Sequence, residues 1–198
     1  MPAENEDQFE AWKSLKPTSA YAVRELGAAF EGEDSSPDDL IDAYLFAKRH
    51  LAQSIKALLL SQLPSVCQEF VELRACIEAE MKNRYADVIP ERFLRVPYGS
   101  QVHELLFMIL LRNLGKRVDS DRLRIVTGDK THSERRAREL RELGFNIATS
   151  EADGSQYYTL ADLEIDYTKV PELIAKVIKK SESLTEAEKH NLTGRLAE

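Results

Sequence analysis

The stretch Leu110–Leu160 constrains the fold more than any other part of this chain. It reads as three helices, a break and two short strands. The apolar segment Gln101–Leu114 (Val102, Leu105, Leu106, Phe107, Ile109, Leu110) follows a capping Ser100 and is closed by Gly115. A second, short helix is expected over Asp121–Thr127, closed by Gly128-Asp129. The third opens on Thr131-His132-Ser133-Glu134, with threonine at the cap and glutamate three residues on, the pattern of a capping box. It runs to Leu143, and Gly144 stands where a left-handed C-cap is wanted. Phe145–Ile147 and Tyr157–Leu160 alternate like strands, joined by a polar loop over Thr149–Gln156.

The rest of the chain is mostly helical in pattern. Gln8–Leu15 and Ala20–Phe30 read as two helices separated by Pro17. Ser36-Pro37-Asp38-Asp39 is a helix start, with a capping serine, proline in the first turn and acids behind it. From there Leu40, Ile41, Tyr44, Leu45, Lys48, Leu51, Ala52, Ile55, Leu58 and Leu59 form a wide stripe of helical period up to Leu63. Pro64 breaks it, and a further helix from Ser65 to Tyr85 is expected to fold back on it as a hairpin. Ala86–Gly99, with two prolines, reads as a connector with one short strand at Phe93–Val96. Past Leu160, Val170–Lys180 is amphipathic, with Pro171 in its first turn, and Thr185 opens a frayed terminal helix. The expected class is mainly α, divided as a helical domain over 1–97, a helical and hairpin domain over 98–165 and a helical tail over 166–198.

Charge separates these regions. The chain carries a net −7, which excludes a surface that is basic throughout. From Lys116 to Leu143, however, nine Lys/Arg stand against six Asp/Glu, while the remainder holds 18 basic and 28 acidic residues. Apolar residues make up 43%, enough for a core without metals or disulfides. Cys67 and Cys76 lie nine apart in an apolar helix, which is no zinc spacing, and read as two buried thiols of a reducing, cytoplasmic compartment. No apolar run reaches membrane length, and the acidic start MPAENEDQFE is not a signal peptide.

No enzymatic centre, metal site or cofactor is expected. His50, His103, His132 and His190 are scattered, and the first and second sit on apolar helices as core-edge residues. Gly128-Asp-Lys-Thr131 is a fragment of a phosphate loop without its first glycine or its strand. The carboxylate–lysine groups around Glu78–Lys82 and Glu186–Lys189 lack a strand and a preceding acid.

Gly115–Leu160 resembles the winged helix-turn-helix domains of bacterial and phage DNA-binding proteins. More narrowly, it resembles those placed ahead of HNH nuclease domains in restriction-type endonucleases. The residues that carry this are Ala137, Arg138, Arg141, Glu142, Leu143, Gly144, Ile147, Tyr158 and Leu160, less than a quarter of the chain. The nuclease part is missing: no HNH cluster, cysteine pair or His–Asn site follows Leu160. The resemblance implies duplex-DNA binding without cleavage, the third helix entering the major groove.

On a helical wheel Ala137, Leu140 and Leu143 mark the buried side of that helix. Thr131, Arg135, Arg138 and Glu142 then lie opposite, flanked by His132, Glu139 and Arg141. The expected DNA contacts are Thr131, His132, Arg135 and Arg138 toward bases and Ser133 toward a phosphate, with Arg136 reaching a phosphate or a carboxylate from the edge of the buried face. Lys116, Arg117, Arg122, Arg124 and Lys130 are expected on the backbone. The same arginines also suit a solvated face with Arg135–Glu139 and Arg138–Glu142 pairs. A homodimer is expected, through the N-terminal domain or through Val170, Leu173, Ile174, Val177 and Ile178. The competing reading is a protein adaptor or inhibitor, acidic and DNA-mimicking, whose winged helix docks a protein partner.

Overall fold

The computed structural model describes residues 6–32, 34–127 and 133–196. In chain order the elements are α1 (Glu6–Glu31), α2 (Pro37–Leu60), α3 (Gln68–Tyr85), α4 (Gln101–Arg112), β1 (Val118–Asp119), α5 (Ser120–Val126), α6 (Ser133–Glu142), β2 (Phe145–Ala152), β3 (Ser155–Ile165), α7 (Val170–Lys179) and α8 (Glu186–Gly194). Helices dominate, with one small antiparallel sheet, as the sequence pattern predicts. The chain divides into two compact units. One is Met1–Val66 with Asp121–Thr131, the other Cys67–Ser120 with His132–Glu198. The boundary expected near residue 97 lies inside the second unit. The connector that suggested it is packed there: Ile89, Phe93, Leu94 and Val96 are buried. Its Glu91–Phe93 is a 3₁₀ turn and not the expected strand.

The first unit is built on α1 against α2. The expected break at Pro17 is absent, and α1 runs through it. An interior proline loses a hydrogen bond and crowds the preceding turn, at about 3 kcal/mol. The less exposed positions of α1 continue at helical spacing on both sides of Pro17, with Ser19 and Ala22 buried. Ser19 Oγ donates to the His50 carbonyl of α2 at 3.2 Å, so tertiary packing overrides the local preference. The capping box at the start of α2 forms as expected: Asp39 N–H donates to Ser36 Oγ and Ser36 N–H to the Asp39 carboxylate. The expected α2–α3 hairpin is replaced by an α1–α2 pair, and α3 belongs to the other unit. Small buried residues explain the choice, since Ser19, Ala22, Ala47, Ser54 and Ala57 let α1 and α2 approach closely.

In the second unit α4 is buried around most of its surface, from Leu105 through Leu110 together with His103. Phe70 of α3, Phe107 of α4 and Phe145 of β2 meet as three rings with centroids 5.0–6.0 Å apart. α7 buries Val170, Leu173, Ile174 and Ile178. The stripe expected to pair two copies is thus spent on the unit's own core, against α3 among others. Thr185 and Glu188 form a capping box that gives α8 a defined start in place of a frayed end. Cys67 is buried, but Cys76 is exposed on α3, contrary to the expectation of two buried thiols.

The sheet has the order β1-β3-β2. β1 pairs Val118 with Tyr158, and β2–β3 is a hairpin whose register ends at Ala152–Ser155. The two residues left to turn the chain, Asp153 and Gly154, have φ of 50° and 74°. That is the left-handed pair of a type I′ turn, for which Asp-Gly is favoured. Most of the expected loop Thr149–Gln156 is therefore strand. At the other end Gly144 has φ 94°, and a Cβ there would lie 2.7 Å from the Asp166 carbonyl oxygen.

Candidate nucleic-acid interface

α4, α6, β2 and β3 of the second unit pack together, α6 against α4 and β2. The contact between α4 and α6 is polar at one point, and that point governs the arginines of α6. Ser100 stands before α4, and its side chain makes no hydrogen bond to the helix amides. Its hydroxyl instead lies 2.7 Å from Nδ1 of His103. Nε2 of the same ring lies 2.9 Å from Oε2 of Glu139 on α6. His103 is 2% and Glu139 5% exposed. A buried carboxylate survives only with partners, and Glu139 has two more. Arg136 donates to Oε2 at 2.6 Å and Arg135, through Nε, to Oε1 at 3.1 Å.

The titrations follow from this geometry. Burial alone would push the Glu139 carboxyl up. Hydrogen bonds from His103, Arg136 and Arg135, with the charge of Arg136, together outweigh it and hold the group at about 2. Burial pushes His103 down and outweighs the upward pull of the Glu139 hydrogen bond and charge, with the positive charges of Arg136 and Arg74 acting on the side of burial, so the neutral ring is favoured. A neutral ring that donates from Nε2 to the carboxylate accepts the Ser100 proton at Nδ1. The chain Ser100–His103–Glu139–Arg135/Arg136 is a clamp of α6 on α4. With both nitrogens engaged and the ring buried, His103 has no open face for a reacting proton.

The clamp leaves the expected contact residues in different situations. Arg136 is half-buried, its side chain 28% exposed. Arg135 gives only Nε to Glu139 and keeps a side chain 61% exposed. Its terminal nitrogens, on a fork held at its base, have no protein partner among the described residues. Arg138 is exposed on the same helix. Its expected partner Glu142 instead binds Lys176 of α7 at 2.5 Å, which joins α6 to α7. Lys116 and Arg117 are exposed in the turn between α4 and β1, where Gly115 (φ 72°) donates its N–H to the Leu160 carbonyl of β3. Arg122 and Arg124 are exposed on α5, Arg124 near Asp121 at 3.1 Å. They belong to the first unit. Lys130, Thr131 and His132 lie outside the described residues, as does the side chain of Ser133.

Sequence reasoning placed Glu139 on the outer face and His103 at the core edge. The wheel angle of Glu139 lies close to those of Leu143 and Arg136, so a small rotation of α6 buries it. The available signal was His103 itself: a histidine among seven buried α4 positions needs a polar partner from another element. Tyr98, with φ 61°, stacks beside His103 at 5.7 Å between centroids, and Lys176 and Lys180 lie over the Tyr98 ring.

Among the described residues no group of three His, Cys, Asp or Glu could hold a metal ion, and no helix is long and apolar enough to cross a membrane. No curated protein and no solved structure matches the chain. Residues 103–166, from His103 of the clamp to Asp166 beside Gly144, match the KpnI N-terminal domain, a domain associated with restriction endonucleases.

Proposed function

We propose that the chain is a non-enzymatic duplex-DNA-binding protein of a restriction-related or regulatory system, and that residues 103–166 are its DNA-binding segment. The observation that carries this reading is Arg135. It is an exposed arginine whose guanidinium is held at one edge by a buried, ionised carboxylate and has no partner among the described residues at the other. A fork fixed this way presents two parallel donors, the geometry that suits phosphate or a guanine edge, and loses less side-chain freedom on binding. The match to a restriction-endonuclease-associated domain supports the same reading. So does the element order α4, β1, α5, α6 and the β2–β3 hairpin, with β1 paired to β3, which is the order of a winged helix. In this reading α6 enters the major groove with Arg135 and Arg138, and Lys116 and Arg117 neutralise phosphates. Two copies would double the footprint of a chain that is acidic as a whole.

The test is fluorescence-polarisation binding to a random 30-base-pair duplex at about 50 and about 200 mM salt, a range in which several phosphate contacts cost orders of magnitude in affinity. Arg135→Ala with Arg138→Ala is expected to lower affinity at least tenfold. Lys116→Ala with Arg117→Ala is expected to flatten the salt slope by nearly 2. Absence of binding at the lower salt overturns the proposal in favour of a protein-docking role.

A further inference from the structure

α2 has two apolar faces, and only one of them is used in its pairing with α1. At about 100° per residue, Ala43, Ala47, His50, Ser54 and Ala57 form a face where the buried Ala47, Ser54 and Ala57 lie. The other apolar face is centred about 150° further round and holds Ile41, Tyr44, Leu45, Ala52, Ile55 and Leu59. Four of these are large and open to solvent, Ile41 at 53%, Tyr44 at 50%, Leu45 at 37% and Ile55 at 39%. Ala52 and Leu59 are half-buried. Lys48 is the one charge within the face, and its long aliphatic stem suits apolar neighbours. A stripe of this width on a helix is core-forming in ordinary cases, and an exposed patch of large aliphatic and aromatic groups marks an association surface.

The charges of α2 say what fits there. On one flank of this face, at the same wheel angle, α2 carries Asp38 in its first turn and Lys56 near its other end. A helix acidic at one end and basic at the other complements a copy of itself running the opposite way. Two-fold symmetry then sets Asp38 of each α2 beside Lys56 of the other, once at each end of the contact. Antiparallel packing also places each helix N-terminus beside a C-terminus, which the helix dipoles favour.

We propose that this face is a homodimer contact. α2 packs antiparallel on α2 of a second copy about an axis near Lys48, and the two α1–α2 hairpins make a four-helix bundle. The proposal deepens the two-copy part of the function given above and rests on it. DNA contact by a single copy neither needs nor implies it.

The experiment is mass measurement by light scattering on the full chain without DNA, together with cysteine cross-linking. The wild type is expected near twice 22.5 kDa. Ile41→Glu with Ile55→Glu is expected to reduce the mass to 22.5 kDa with its circular dichroism unchanged, because both side chains are already exposed in one copy. In a Cys76→Ser background Lys48→Cys is expected to form a disulfide dimer, and Gln53→Cys, on the opposite side of α2, is not. A wild type that is monomeric at high concentration overturns the proposal, as does a dimer unaffected by the two glutamates. A monomer that still binds duplex DNA ends this proposal and leaves the DNA reading standing.

Discussion

Glu139 decides what two arginines of α6 can do. Replacing it with glutamine keeps the shape but removes the charge that His103, Arg135 and Arg136 converge on. Arg136 is then a half-buried cation without its counter-charge, and a loss of about 2–3 kcal/mol in urea unfolding is expected. The same variant should weaken DNA binding, because Arg135 is no longer held at its base. The clamp also sets an acid response. The folded Glu139 carboxyl titrates at about 2 against an ordinary 4.5, so its contribution is complete above about 4.5 and is lost as pH falls toward 2. His103 is shifted below its ordinary 6.5, and its burial as a neutral ring begins to cost stability as pH falls through that value. Urea midpoints measured from pH 7 to pH 3 should therefore decline in both ranges, and Glu139→Gln should remove most of the lower decline. The thiols make a further contrast. Burial, with the nearby carboxylates of Glu69 and Glu104, pushes Cys67 up to about 11, whereas Cys76 is open. A thiol reagent at pH 8 should modify one cysteine in the native chain and two after denaturation.

Two glycines that bound the hairpin differ in what holds them. Gly144 and Gly154 both have positive φ, but only Gly144 faces a wall, the Asp166 carbonyl. Gly154→Ala should cost about 1 kcal/mol for the left-handed backbone alone. Gly144→Ala should cost clearly more, as read by thermal melting of the two variants side by side. Both glycines were visible in the sequence, and Gly144 was read correctly as the end of a helix. The hairpin and its turn glycine Gly154 are legible in the sequence, but the tightness of the Asp153-Gly154 turn is not, because polar residues on both sides resemble a longer loop when only one strand face is apolar. The elements with local punctuation, such as the Ser36 cap and the Thr185 cap, were legible in the same way. Pro17 and the partner of α2 were not, since the packing of α1 along α2 decides both and no local pattern reports it. The clamp was half legible: its arginines stood out by charge, while Glu139 and His103 became a pair only when α4 and α6 met across 36 positions of chain.

At the scale of the molecule, charge and apolar surface are divided. The cations of the proposed DNA contact lie mainly in the second unit, and the exposed face of α2 lies in the first. Titration at several chain concentrations should separate the two properties: mass should depend on concentration without DNA, and affinity should depend on salt. The two units are also interleaved along the chain. Asp121–Thr131 groups with Met1–Val66, although it falls within the 103–166 segment that matches the KpnI N-terminal domain. A fragment limited to residues 103–166 would therefore carry α5 without Met1–Val66, and it should melt below the full chain even where α4, α6 and the hairpin stay folded.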